Sequence, residues 1–440
     1  MIETLSLILV GLIGLILAGM ILVNPFLGIV LIAASLPVTD LLPSIPMVSS
    51  ILPIVGVVTI FGYLIKNINK RGNGLKGTRP VLILGLLFIV WMFITNPEAA
   101  WFGHDRNWIF TYVQLLILTF LAEELLDDPK KYKTFFWVFS IVSVISATVA
   151  IQQGSIGEDI DTSVRTAGLS EGANSAGRYF VVAMIFFVYL RTIEKKPILR
   201  TLSGIGIVIT FLGVFFTVSR TAIVLLFTAI GLIILLNPQK KVNFSLIIVF
   251  MLAILTLTML SDSVFRIISS IIPSITQGTD TIGLRYKLWD AGFRMWLDHP
   301  ITGVGIGRFP YELPFYASGI PQHYLHLVAH STYVQLLSET GIVGLALWLS
   351  MAAISLVNLW KASQTEDLEL KSLARMWFIV LLVLLIGGIT MTQSAEKLIW
   401  ICMGVSEYFH LHALHKPVTE KTQQLSISAA VKSGQDLPLG

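Results

Sequence analysis

Residues 201–236 read TLSGIGIVITFLGVFFTVSRTAIVLLFTAIGLIILL, and their only charged residue is Arg220. The stretch is long enough for two membrane crossings of roughly 17–20 residues each, joined at the TVSR turn. In hydrocarbon every backbone amide must find its partner inside the segment, so apolar runs of this length are helices. Similar runs recur along the chain, at about 5–23, 26–42, 51–65, 81–95, 107–122, 135–151, 174–190, 201–218, 221–236, 244–261, 333–358, 374–393 and 398–413. The sequence therefore predicts an all-α, polytopic transmembrane bundle of about twelve, or thirteen, helices. The two counts differ before residue 66, where Pro25, Pro37, Pro43, Pro46 and Pro53 interrupt the apolar pattern. The first run lacks a basic leader and a small-residue cleavage site, and reads as a retained helix.

Composition agrees. The 440 residues are 55% hydrophobic and 13% charged, with a mean hydropathy of +0.81, whereas soluble domains carry about 25% charge. A disordered chain, a secreted disulfide scaffold and a nucleic-acid binder are excluded. The single cysteine, Cys402, stands in an apolar run and leaves no disulfide framework or zinc knuckle.

The net charge of +4 is mainly a record of topology. Basic loops fall at 66–79, 130–133 and 191–200, then at Lys240, Lys241, Lys361 and Lys371, and in the tail at Lys416, Lys421 and Lys432. Alternating spans put all of these on one side, which the positive-inside rule makes cytoplasmic. The opposite connections hold few basic residues, among them Arg106, Arg165 and Lys397. The domain plan is one integral membrane unit over 1–415 and a polar, disordered cytoplasmic tail over 416–440. One connection, about 263–332, is far longer than the rest. It lies on the extracytoplasmic side, and the amphipathic spacing around 284–297 predicts a partly helical surface loop. No internal repeat stands out.

Chemistry is concentrated on that outer side. Arg220, with no acidic residue within twenty positions on either side, reads either as an interfacial anchor or as a ligand for an anion, since a guanidinium fork matches phosphate oxygens. Arg165 is by itself a loop charge, but it shares a side with Arg220, and Arg178 follows about one turn into the next span. In HYLHLVAHSTYVQLLSETGIVGLALWL, a helical 323–330 would put His323, His326 and His330 roughly on one face. Such a face admits a metal site; His330 also suits a general base. Glu339 lies too far along the same helix to orient His330, and reads as a ligand for substrate hydroxyls or a brace for the bundle. GVGIGRF (303–309) has no preceding strand and is no dinucleotide fingerprint. The acidic run at Glu158, Asp159 and Asp161 reads as a solvated loop face, or less readily as a cation site.

Taken in order, SVRTAGLSEGANSAGRYF, TVSRTAIVLL, GLRYKLWDAGFRMWLDHPITGVGIGRF and AHSTYVQLLSETGIVGLALWL resemble the O-antigen ligase and polymerase superfamily of bacterial membrane glycosyltransferases, over roughly residues 165–350. The resemblance implies transfer of a glycan from a polyprenyl-diphosphate donor to an acceptor hydroxyl, on lipid A-core or a growing surface polysaccharide. It implies a location in the bacterial cytoplasmic membrane with the active site on its outer face, no metal and no cofactor. By motif position it puts the catalytic role on His330 and diphosphate binding on Arg165 and Arg220, with Arg285, Arg294 and Glu339 as possible further substrate ligands. A dozen spans with intramembrane charge also admit a secondary solute transporter. Transporters carry their charges near mid-membrane on broken helices, whereas the charges here gather at one surface.

Overall fold

The computed structural model describes residues 2–42, 51–67, 77–96, 106–156, 166–236 and 281–412. Within these the chain is helical: α1 (Ile2–Val23), α2 (Phe26–Ser35), α3 (Leu52–Asn67), α4 (Pro80–Thr95), α5 (Arg106–Leu125), α6 (Pro129–Ile156), α7 (Ala173–Ile193), α8 (Pro197–Phe216), α9 (Arg220–Leu236), α10 (Thr281–Asp298), α11 (Phe309–Tyr316), α12 (Thr332–Ala362), α13 (Leu368–Gly387) and α14 (Lys397–His412). Six of these, α5, α6, α7, α8, α12 and α13, are long and apolar enough to cross a membrane; α3, α4, α9, the second half of α1 and α2 with the turn after it are shorter apolar helices. The expected span at 244–261, Arg165, the acidic run at 158–161 and the expected tail lie outside the described residues.

The hub is α7. Every residue from Ala176 to Leu190 is buried, as a helix apolar on all sides must be when it packs at the centre of a bundle. It lies against α6, α8, α9 and α13. An aromatic cluster fills the junction, with Phe136 and Phe186 at 4.6 Å between centroids and Trp377 meeting Phe135, Phe136 and Phe186 at 5.5–5.8 Å. The polar exception in the upper turn of α7 is Arg178. It is buried, donates to Gln393 Oε1 at 2.9 Å, pairs with Glu396 and lies over the Tyr179 ring. It thereby ties α7 to the 388–396 segment.

At the opposite end of the bundle three basic residues form ion pairs. Arg79 bridges Glu123 and Glu124 at 2.6 and 2.7 Å, Lys131 meets Asp127, and Lys133 meets Glu194.

Three local expectations change. The run 26–42 is not one helix: α2 stops at Ser35, and Leu36–Leu41 forms a 3-10 turn with non-helical backbone at Val38. Pro37 lacks the amide needed to continue the ladder, and the turn is instead held by Asp40 N to Leu169 O and Ser170 Oγ to Pro37 O. The run 374–393 ends as a helix at Gly387, and the residues after it fold back onto the start of α12, with Thr332 N donating to Gly388 O and Met391 O. Finally, 317–331 is not a helix. Apart from the short 3-10 turn Gln322–Tyr324 it is irregular, so His323, His326 and His330 do not share a helical face.

The long connection is partly helical, through α10 and α11, and has its own small core. Leu288, Ala291, Met295, Phe309, Leu313, Ile320 and Ala329 close over Val334 of α12.

Candidate active site

The turn between α8 and α9 sets the first arginine. Ser219 caps α9, its Oγ accepting from Ala222 N at 3.2 Å and donating to Asn174 Oδ1 at 2.7 Å. Arg220 is then the first residue of the helix. Its guanidinium therefore springs from a helix N-terminus, where the backbone dipole also favours negative charge. One residue before the cap, Val218 has φ of +49°, a conformation that costs a β-branched residue strain. Thr221 and Thr390 share a hydrogen bond of 2.9 Å, joining α9 to the turn after α13.

The second arginine comes from α10, which packs on α12. Arg220, Thr221, Val224 and Leu225 of α9, Arg285, Tyr286 and Trp289 of α10, and Ile386, Ile389 and Thr390 line one open cavity of about 350 Å³. Two arginines and an aromatic pair, Tyr286 and Trp289 edge to face at 5.6 Å, share a wall otherwise made of aliphatic side chains and two threonines. Such a surface suits a molecule carrying anionic oxygens beside sugar faces.

His330 stands at the start of α12. Ala329 before it is pinned on both sides: its carbonyl accepts from Trp289 Nε1 at 3.0 Å, and its amide donates to Gln335 Oε1 at 2.8 Å. Ser331 after it is extended, and its side chain caps α12 at Val334 N. The residue between must reverse the chain, and His330 takes φ of +49° to do so. Burial, and secondarily the positive charge of Arg285, hold the imidazole below its ordinary pKa of 6.5. It is thus neutral at neutral pH, the state that can accept a proton.

A buried brace underlies this geometry. Glu339 is 2% exposed; its carboxylate accepts from Phe309 N at 3.1 Å and from Gln335 Nε2. Two residues further on, α12 breaks at Gly341, with φ of +66° and ψ of −171°. Three carbonyls before the break are taken up from outside the helix: Ser338 O accepts from Val304 N, Glu339 O from Gly305 N, and Thr340 O from Trp91 Nε1, at 2.8–2.9 Å. Ile342 N reaches Pro300 O at 3.0 Å. The fit requires glycine, since a Cβ on Gly341 would stand 2.0 Å from Ile301 O, and one on Gly303 2.3 Å from the Glu339 carbonyl carbon. The ITGVG and SETG segments are thus one structural unit that docks the outer loop on the bundle.

Of the residues singled out from sequence, the structure brings Arg220 and Arg285 into one cavity, with His330 within electrostatic reach of Arg285. Glu339 lies behind His330 in the brace. Arg294 lies elsewhere: it pairs with Asp290 at 2.8 Å, is half exposed, and at 100° per residue falls about 180° around α10 from Arg285. Arg165 is outside the described residues, but Thr166, next to it, donates from Oγ1 to Phe216 O at 2.5 Å, at the end of α8. His323 and His326 are exposed. Among the described residues no group of three or more His, Cys, Asp or Glu side chains converges on a metal position. Sequence reading missed Trp289, Gln335 and the 388–391 turn. A tryptophan one helical turn from an arginine was the only trace of the first, and the turn was hidden inside an apolar run.

The O-antigen ligase family model matches residues 205–349. That stretch contains Arg220, Arg285, His330, Glu339 and both halves of the glycine-locked brace. The match supports membership of the ligase and polymerase superfamily over this part of the chain, and with the helical bundle it supports a glycosyltransferase-type role in a membrane. No curated protein matches the chain.

Proposed function

We propose that the protein is a membrane glycosyltransferase of the O-antigen ligase or polymerase type, moving a glycan from a polyprenyl-diphosphate donor to an acceptor hydroxyl at the outer face of the bacterial cytoplasmic membrane. The observation that carries the reading is the convergence of Arg220 and Arg285 on one cavity, with the half-buried His330 within electrostatic reach of Arg285. The reaction needs charge stabilisation on the departing diphosphate and a base for the attacking hydroxyl, and these three side chains supply both.

In this mechanism the donor's diphosphate lies against Arg220, the N-terminus of α9 and Arg285, with Arg165 as a further ligand from the neighbouring loop. The sugar next to it lies along Trp289 and Tyr286. The acceptor oxygen attacks C1 from the face opposite the diphosphate, the C1–O bond to phosphate breaks, and the anomeric configuration inverts. His330 takes the hydroxyl proton as the new glycosidic bond forms. The bonding electrons leave on the diphosphate, where the two guanidinium groups stabilise the growing charge. Glu339 acts through the loop it braces. The outer loop, seated by the glycine lock, excludes water so that transfer prevails over hydrolysis.

The acceptor is a lipid A-core glycolipid in the ligase case and a second lipid-linked glycan in the polymerase case. Incubating the purified protein in proteoliposomes with lipid-linked repeat units alone separates them: chain growth indicates a polymerase, and transfer only after a different acceptor is added indicates a ligase. No transfer with any acceptor, together with movement of a small solute across the same vesicles, overturns the reading in favour of a transporter.

A further inference from the structure

A second groove lies away from the arginine cavity and shares no residue with it. It runs between α2, α3 and α5, has a volume of about 180 Å³, and is walled by Ile32, Leu52, Pro53, Gly56, Val57, Ile60, Leu115, Ile117, Leu118 and Leu121. Its polar lining is confined to one end, at Thr111, Gln114 and Lys397. From Thr111 to Leu121 along α5 is about 15 Å at 1.5 Å per residue, close to half of a ~30 Å hydrocarbon core. The groove therefore has about the length of one leaflet.

The polar end has unused capacity. Glu396, beside Lys397 in sequence, is committed to Arg178 and Tyr179 on the other side of the turn. Lys397 and Gln114 are half-buried, and among the described residues neither side chain has a hydrogen-bond or ion-pair partner. An ammonium partly withdrawn from water without a counter-charge is unfavourable, and here it stands at the mouth of an apolar slot. Lys397 also belongs to the end of the bundle that carries few basic residues, so topology gives no reason for its charge.

We propose that this groove binds an anionic glycerophospholipid of the surrounding leaflet, one acyl chain lying along α5 and the phosphate held by Lys397 and Gln114. The ammonium donates to the phosphate oxygens as a charge-assisted hydrogen bond, and Gln114 adds an amide donor. The bound chain fills the gap between α3 and α5 and completes the packing of the amino-terminal helices on the bundle. This site is independent of the glycosyl-transfer reading and stands or falls separately from it.

Native mass spectrometry of the full-length protein, delipidated and then given phosphatidylglycerol, phosphatidylcholine or a polyprenyl monophosphate, tests it. The wild type should retain one phosphatidylglycerol in preference to phosphatidylcholine. Lys397→Ala should weaken that preference at least about tenfold, the scale set by loss of one charge-assisted bond of about 1.5 kcal/mol. Leu118→Trp, which fills the slot, should abolish retention of either lipid in protein that stays monodisperse. Lys361→Ala, an exposed lysine at the far end of α12, should change nothing. Equal phosphatidylglycerol retention by wild type, Lys397→Ala and Leu118→Trp overturns the site. Displacement of phosphatidylglycerol by the polyprenyl phosphate at equal concentration overturns the assigned occupant.

Discussion

Replacing Gly341 by alanine should release the outer loop from the bundle while leaving the helices in place. The residue has φ of +66° and ψ of −171°, a region essentially reserved for glycine, where another residue costs about 1–3 kcal/mol. Its Cβ would also stand 2.0 Å from Ile301 O, so the 300–305 segment must withdraw. Withdrawal forfeits three backbone hydrogen bonds, Val304 N to Ser338 O, Gly305 N to Glu339 O and Ile342 N to Pro300 O, each worth about 1 kcal/mol net. The sum is about 4–6 kcal/mol, or three to four orders of magnitude in the docking equilibrium. Limited proteolysis of the detergent-solubilised protein, with cleavage sites mapped by mass spectrometry, reads this directly. Cuts between residues 299 and 331 should rise steeply, while the bundle fragments stay protected. Gly231→Ala serves as the control, because nothing lies within 4 Å of a Cβ there. If Gly341→Ala shows the wild-type cleavage pattern and rate, the glycine lock does not hold the loop.

Three further outcomes follow from the same geometry. Arg285 raises the cost of protonating His330; an imidazole whose folded pKa is depressed gives up stability as pH falls below 6.5, and the acid limb of kcat/KM should likewise lie below 6.5. Arg285→Gln should move that limb upward toward 6.5, and a pH–rate profile with an unmoved limb would contradict the coupling. Arg220→Lys keeps the charge but loses the two-pronged donor, so the KM for donor should rise by about tenfold or more, with the KM for acceptor changed far less. Arg178→Met strands the largely covered Glu396 carboxylate it pairs with, at a cost of up to about 3–5 kcal/mol, and should lower the thermal unfolding temperature seen by size-exclusion chromatography after heating.

The helical class was legible because lipid removes alternatives: uncharged runs of span length have only one way to satisfy their amides. α6 through α9 and the main course of α12 accordingly lie where the apolar runs put them. What misled was apolarity without helix. Pro37 sits in a run that reads as continuous, yet its missing amide turns the chain, and residues 388–393 are uncharged but Gly388 and Met391 spend their carbonyls on Thr332. For the site, charge in an apolar context singled out Arg220, because nothing topological explains it, and the structure sets that residue on a cavity wall. The partnership of Arg220 with Arg285 rests on α10 packing on α12, which brings Arg285 to the cavity that Arg220 lines, a long-range event with no local signature. Arg285 and Arg294 looked equivalent in sequence, and only the direction of one helix face separates them. The histidine spacing suggested a helical face, whereas the pinning of Ala329 by Trp289 and Gln335 makes His330 a reversal point instead.

The central claim is that His330 accepts the proton in glycan transfer, and the most direct measurement uses His330→Asn. Asparagine tolerates the positive φ of this position, so the reversal before α12 is kept and only the base is removed. In proteoliposomes with a lipid-linked glycan donor and its acceptor, the variant should insert and bind donor as the wild type does, while transfer falls by at least about a hundredfold, the lower scale of general-base catalysis. Transfer within a few-fold of wild type, in protein with the wild-type proteolysis pattern, would contradict the account.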